Sequence, residues 1–293
     1  MSFAKAAEEL GVTPAALSWQ IKSLEETLGE PVFRRLNRAV ELTDAGRALV
    51  PGTRDGFAAL QTAWAAARRA ADDVTLTVTA GPAFTAKWLA PRLFAFATAH
   101  PEIELRFAAT LRVLDFDRDA VDVAIRFGTG RDDALFSRPL MQEWATPMMT
   151  PALAAALPDP ADLSRATLLH QDDTAFLRPA ADWPAWFRAA GLGEAPRGGP
   201  RFSQADHALD AALAGAGVVL GRISLAEGAL AEGRLVAPYP LALTMQAQYR
   251  FLCPAGAQVR PKVRAFLDWI TAEADSLRAW EAGRIFVPAT DAP

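Results

Sequence analysis

Apolar residues recur at helical spacing from the start of the chain. Phe3, Ala6, Ala7 and Leu10 share one side of a helix that Ser2 is placed to cap, and Gly11 offers the left-handed stop. Thr13-Pro14 restarts a helix, with Thr13 as N-cap and Pro14 at the first helical position, where its missing N–H costs nothing. This second helix is expected to run to about Leu28 and stop at Gly29. At about 100° per residue, Leu17, Ile21, Leu24 and Leu28 form a stripe roughly 60° wide that predicts a core-facing side. Ala15, Ser18, Trp19 and Lys22 fall opposite it near the helix start, a small, polar and singly positive face, while the acids wait until Glu25 and Glu26. Two short helices joined by a tight turn containing glycine match a helix-turn-helix, whose second helix enters the major groove by its N-terminal half. The same pattern also fits an ordinary αα-hairpin.

The next residues favour the DNA-binding alternative. Residues 31–42 predict two short strands around an Asn37-Arg38 turn, with Arg34, Arg35 and Arg38 each able to neutralise a phosphate. Such a hairpin beside a recognition helix makes a wing. Thr43-Asp44 then opens a helix carrying Leu49, Phe57, Leu60 and Trp64 towards Ala71, with a kink expected at Pro51-Gly52. A long, partly apolar helix in this place would pair two chains on a two-fold operator.

Beyond Asp72-Asp73 the period changes. Val74, Leu76 and Val78 alternate with threonines as a strand, Gly81-Pro82 turns into a helix through Trp88, Leu93 and Phe96, and Ile103, Leu105 and Phe107 form a second strand. Short apolar runs at 121–125 and 217–220 read as buried strands. Repeated β-α alternation predicts an α/β domain with a mostly parallel sheet. Backbone N–H groups left free where the strand ending at Ala80 meets the helix after Pro82 favour a carboxylate or other anion near Ala83, Phe84 and Thr85. Phe202-Ser203-Gln204-Ala205 is a second such junction, and Arg126-Phe127-Gly128, at another strand end, would add a cation.

Composition narrows the functional classes. Net charge is −4, so no general basic coat exists; residues 1–70 hold nine Lys and Arg against eight Asp and Glu, and this mild asymmetry decides nothing. The single Cys253 excludes an internal disulfide framework and a multi-cysteine zinc site, and suits a reducing cytoplasm. No secretory signal is legible, and no stretch of about 18 residues is free of charges and breakers, so no membrane partner is expected. His100, His170 and His207 lack metal spacing, Cys253 reads as a strand residue, and Gly215-Ala216-Gly217 lacks a phosphate-binding fingerprint. The expectation is a non-enzyme with no cofactor, no metal and no catalytic residue.

The segment from Ser2 to Pro51, SFAKAAEELGVTPAALSWQIKSLEETLGEPVFRRLNRAVELTDAGRALVP, resembles the N-terminal domain of the LysR-type transcription regulators, especially the branch of the glycine-cleavage activator and the β-lactamase inducer regulators. The resemblance continues through AKWLAPRL, HPEIELRF, VDVAIRFG, LLHQDD, GAGVVLGR and VRPKVRAFLDWI, and so covers nearly the whole chain. It implies a winged helix-turn-helix domain at 1–46, a linker and dimerisation helix at 47–72, and an effector domain at 73–275 like a periplasmic solute-binding protein, followed by a C-terminal tail at 276–293. The effector domain would comprise subdomain I, about 74–145 plus 247–275, and subdomain II, about 146–246. Thr13, Pro14, Ala15, Ser18, Trp19, Lys22, Arg34, Arg35 and Arg38 are then the DNA-contact candidates. Ala83, Phe84, Thr85, Arg126, Phe127, Gly128, Ser203, Gln204, Ala205 and Tyr249 are the effector-contact candidates. Tyr249 matches an aromatic that touches ligand in the β-lactamase-regulator branch. The resemblance also implies promoter DNA, a small-molecule effector, a homodimer or homotetramer, and RNA polymerase as partners.

The chain departs from the family in three places. Family members usually carry some 15–20 residues before the position of Ser2, which form a first helix, so a start assigned late is expected. Trp19 stands where this branch commonly has a His or similar polar residue. Hydroxyls usual at Ala83 and at Gln204 or Ala205 are missing, with Thr85 and Ser203 next door. The competing expectation is a cytoplasmic small-molecule binding protein with a degenerate DNA-binding domain.

Overall fold

The computed structural model describes residues 2–36, 39–70, 74–116, 119–130, 134–173 and 176–289. It divides into two compact units, residues 1–68 and 69–293.

In the N-terminal unit, α1 (Phe3–Glu9) and α2 (Pro14–Leu28) form where the caps require. Ser2 accepts from the Lys5 N–H at 3.4 Å and Thr13 from the Ala16 N–H at 3.2 Å. Gly29 ends α2 at φ 79°, a left-handed conformation open to glycine at little cost. Strands β1 (Phe33–Leu36) and β2 (Ala39–Leu42) pair antiparallel, with Phe33 opposite Leu42 and Leu36 opposite Ala39. The expected turn at Asn37 and Arg38 lies outside the described residues. Helix α3 (Asp44–Ala70) runs through Pro51 as one element and leaves Phe57, Leu60 and Trp64 exposed.

One expectation is corrected here. The apolar stripe of α2 is not closed by this unit: Leu17 and Ile21 are half-buried, but Leu24 and Leu28 are 47% and 44% exposed. The seven-residue α1 is too short to cover the C-terminal half of the 15-residue α2, where Leu24 and Leu28 lie.

The second unit is built on one curled sheet. Strand β3 (Thr75–Ala80) leads into α4 (Pro82–Phe84), a π-turn at Thr85–Leu89, a 3-10 turn at Ala90–Arg92, and α5 (Leu93–Ala99). The single helix expected here is therefore segmented, because Pro91 has no N–H for the regular ladder. Strands β4 (Glu104–Ala109), β5 (Val123–Gly128) and β6 (Leu135–Met148) follow, then α6 (Pro151–Ala156), β7 (Leu168–Gln171), α7 (Trp183–Ala189), β8 (Arg201–Phe202) and α8 (Ala205–Leu213). The unit ends with β9 (Val218–Arg222), α9 (Ile223–Ala231), β10 (Leu241–Pro254), α10 (Pro261–Asp275) and β11 (Ile285–Pro288).

Strand order is β4-β3-β5-β10-β6-β9-β7-β8, with β11 beside β10. The sheet is mixed, contrary to the mostly parallel expectation. β3 pairs parallel with β4 and β5, and β7 with β8 and β9, while the 14-residue strands β6 and β10 run antiparallel to each other and join the two parallel ends. Long crossing strands let one sheet serve two cores. One core gathers Trp88, Phe96, Phe251 and Phe266, and the other Trp183, Trp186, Phe187 and Tyr239. This is a two-subdomain, periplasmic-binding-protein-like α/β fold. Within 276–293, expected as a tail, Ile285–Pro288 instead adds a parallel strand against Leu241–Thr244.

Candidate functional site

Two surfaces carry chemistry, one in each unit. In the first, Trp19 is 65% exposed and Lys22 lies exposed on the same helix, one turn from its ion-pair partner Glu26 at 3.7 Å. Thr13, Pro14 and Ala15 form the exposed first turn of α2, whereas Ser18 is half-buried. Arg34 is exposed on β1; Arg35 is on the same strand, its side chain outside the described set, and Arg38 lies outside the described residues altogether.

Sequence reasoning missed what holds the wing beside α2. The Glu25 carboxylate accepts from the Val32 and Phe33 N–H groups at 2.8 and 3.0 Å, and the Phe3 and Phe33 rings meet edge to face at 5.2 Å. Thr43 closes the base: its hydroxyl donates to the Pro31 carbonyl at 2.6 Å and accepts from the Gly46 N–H at 3.0 Å. A charged acceptor on two backbone donors is a strong hydrogen bond.

In the second unit a cavity of about 540 Å³ opens between the two subdomains, within the range of small-molecule sites. Ala83, Phe84, Arg126, Phe127, Gly128, Ser203, Gln204 and Tyr249 all line it. Thr85 and Ala205 do not: Ala205 is buried in the core, and the Thr85 hydroxyl is buried without a hydrogen-bond partner among the described residues. Topology explains the convergence. The end of β3, the end of β5 and the middle of β10 supply one wall, and the β8–α8 junction faces them. Phe84 stacks on Tyr249 at 4.2 Å and on Trp88 at 5.0 Å, so it acts as a backing ring. Burial lifts the Tyr249 hydroxyl far above the ordinary phenol range, which makes it a neutral donor or acceptor.

Arg126 is the exposed-facing cation of this wall. Its guanidinium donates to the Thr79 hydroxyl at 3.1 Å and to the Ile125 carbonyl at 3.2 Å, and burial draws its pKa below the ordinary arginine value. Beneath the cavity lies a buried polar group that the sequence did not announce. Arg222 pairs with Asp173 at 2.5 Å and lies 4.9 Å over the Phe127 ring. Glu143 is fully buried, accepting from the Ser224 N–H at 3.2 Å and from its hydroxyl. Glu143 on β6, Asp173 after β7 and the Arg222–Ser224 junction of β9 and α9 lie far apart in sequence, so no local motif could expose them.

Burial raises the Glu143 carboxyl against the opposing pull of Arg222 and Ser224. A carboxyl whose folded pKa lies above its ordinary 4.5 binds more protons folded than unfolded. It therefore lowers stability progressively as pH rises from about 4.5 through the folded pKa. Glu143→Gln, which keeps the acceptor for Ser224, is expected to flatten stability against pH above about 4.5 in urea titrations. Identical pH slopes for the two proteins would reject this assignment.

Cys253 is buried on β10 with its thiol pushed up to about 11 by desolvation, which leaves almost no thiolate at neutral pH. Among the described residues no group of three or more His, Cys, Asp or Glu could hold a metal ion, and no helix is long and apolar enough to cross a membrane.

Family models match both parts of the chain. Residues 1–47 match the model of the bacterial regulatory helix-turn-helix protein, lysR family, and residues 70–275 match that of the LysR substrate binding domain. The chain is 36% identical over 272 residues to the HTH-type transcriptional activator AmpR of Rhodobacter capsulatus, covering 93% of this chain and 92% of that protein. It is 37% identical over 278 residues to the glycine cleavage system transcriptional activator of Escherichia coli K12, covering 94% and 89%. The effector domain of AmpR of Pseudomonas aeruginosa superposes with a TM-score of 0.58 at 31% identity, over 71% of this chain and 98% of that one. The resemblance read from the helix-turn-helix, the wing and the α/β strands is thereby shown, and the chain belongs to the LysR family of DNA-binding transcription regulators with an effector-binding domain.

Proposed function

We propose that the chain docks on promoter DNA through the exposed start of α2, using Thr13, Pro14, Ala15, Ser18, Trp19 and Lys22, with the Arg34, Arg35 and Arg38 wing on the flanking phosphates. The cavity lined by Arg126, Phe127, Ser203, Gln204 and Tyr249 holds the effector that modulates this docking. A helix face and wing in one unit, with a cavity of about 540 Å³ in the other, support this reading. The lone positive charge of Lys22 and the arginines make phosphate contact the main source of affinity. Exposed Phe57, Leu60 and Trp64 on α3 supply an apolar face for self-association, as a homodimer or homotetramer. The working place of such a protein is the cytoplasm, with RNA polymerase as the downstream partner.

A gel-shift on the gene's own upstream region tests the reading. Arg34→Ala is expected to weaken binding and to reduce the slope of log K against log salt by about one, the value of one phosphate contact. Unchanged affinity and slope would remove Arg34 from the interface. A chain that binds small molecules yet shifts no DNA would replace the regulator reading with that of a binding protein.

A further inference from the structure

Two arginines face each other across adjacent strands, and both line the large cavity. Arg126 on β5 is the register partner of Arg250 on β10, so the two side chains leave the same face of the sheet. Like charges placed directly opposite are destabilising, and a carboxylate beside them would be the usual remedy. No carboxylate pairs with either arginine among the described residues. Arg126 donates to the Thr79 hydroxyl at 3.1 Å, the Ile125 carbonyl at 3.2 Å and the Arg112 carbonyl at 3.4 Å. Arg250 donates from Nε to the Ser137 hydroxyl at 3.0 Å. Every acceptor is neutral. Asp173 is the single carboxylate among the described residues that line the cavity, and Arg222 already holds it at 2.5 Å.

The anchors draw the two cations apart. Strand order runs β3-β5-β10-β6, with Thr79 on β3 and Ser137 on β6, so each guanidinium leans away from the other towards an outer strand. The two anchoring hydroxyls stand three strand spacings apart, roughly 14 Å across the sheet. Free donors remain on both arginines. Nε of Arg126 and the two terminal nitrogens of Arg250 have no hydrogen-bond partner among the described residues, yet none of the three is sealed from solvent. Half-buried guanidiniums with accessible, unused N–H groups are strong seats for carboxylates. Two such cations held apart suit two separate carboxylates better than one compact anion. Leu111, Val113 and Leu252 add apolar surface to the same cavity for the chain that joins them.

Resting on the effector-binding reading, we propose that the cavity takes a short dicarboxylic acid, with one carboxylate on Arg126 and the other on Arg250. Calorimetric titration of the full chain with succinate, glutarate and adipate tests it, because their carboxylates stand progressively further apart. The best of the three is expected to bind at least about tenfold more tightly than its monomethyl ester, the effect of losing a hydrogen bond between charged partners. Inorganic phosphate, a single compact anion, should bind more weakly than that diacid. Arg250→Gln, whose amide nitrogen stands where the arginine Nε does and can still donate to Ser137, should bring diacid and monoester to equal affinity. Arg250→Glu places a carboxylate opposite Arg126 and should remove diacid binding from a chain that circular dichroism shows to be folded. The proposal falls if no diacid binds at millimolar concentration, or if diacid and monoester bind the parent equally. It falls equally if phosphate matches the best diacid, or if either variant keeps the diacid preference. A gel-shift with the same preparation separates the two readings: protein that shifts DNA but prefers no diacid rejects this ligand class alone.

Discussion

Lys262→Met is expected to lower the stability of the effector domain by about 3–5 kcal/mol, the usual cost of leaving one member of a buried ion pair behind. Lys262 is 3% exposed and Asp122 7%, with Nζ 3.4 Å from Oδ1. The ammonium also donates to the Thr75 carbonyl at 2.5 Å, and the second carboxylate oxygen accepts from the Thr77 N–H at 2.9 Å. The pair therefore pins α10 to the start of β3 and to the entry of β5 at once. Methionine fills the space of the lysine stem but leaves the Asp122 charge in an interior of low dielectric, where water cannot compensate it. Thermal unfolding should fall by roughly 10 °C for a domain of this size. Adding Asp122→Asn should recover part of the loss, because the amide oxygen still accepts from Thr77 and no bare charge remains. A single variant that unfolds within about 1 kcal/mol of the parent would show that the pair is hydrated and peripheral.

Gly46→Ala is expected to reduce operator affinity at least about tenfold while leaving helix content unchanged. A Cβ at this position would stand 2.1 Å from the Val32 carbonyl oxygen and 2.9 Å from a Leu42 methyl. The obstructing oxygen is backbone, and it accepts from the Thr43 N–H at 3.1 Å, so it cannot turn aside freely. Relief comes only by moving the hairpin away from α3, which also breaks the hold of Glu25 on Val32 and Phe33. The wing then loses its register with α2, and phosphate contacts spaced for one duplex no longer close together. Gly52→Ala and Gly56→Ala in the same helix meet nothing within 4 Å and serve as controls. They should be neutral or stabilising by up to about 1 kcal/mol, since alanine is the better helix former. Wild-type affinity for Gly46→Ala would mean that the hairpin adapts without cost, contrary to the geometry.

Local signals in the sequence were sufficient for elements whose stability is local. Thr13-Pro14 and Gly29 bound α2 because capping and left-handed stops act within one turn, and the two strands flanking Asn37-Arg38 were legible because four-residue strands this near in sequence pair locally. The alternation at 74–78 and the breaks at Gly81 and His100 were legible for the same reason. Most of the cavity wall was legible too: Ala83, Arg126 and Ser203 lie at strand ends, which chain direction gathers on one side, while Tyr249, in the middle of β10, was marked only by the family resemblance.

What the sequence left open depends on contacts between distant segments. The antiparallel pairing of β6 with β10 makes the sheet mixed, and strand direction is fixed by partners that no short window contains. Leu24 and Leu28 have the periodicity of core residues, yet burial requires a covering surface that helical spacing cannot supply. Glu143, Asp173 and Arg222 look like unremarkable charges along the chain. Only tertiary folding brings them together out of water, where low dielectric turns three common side chains into a polar floor beneath the cavity.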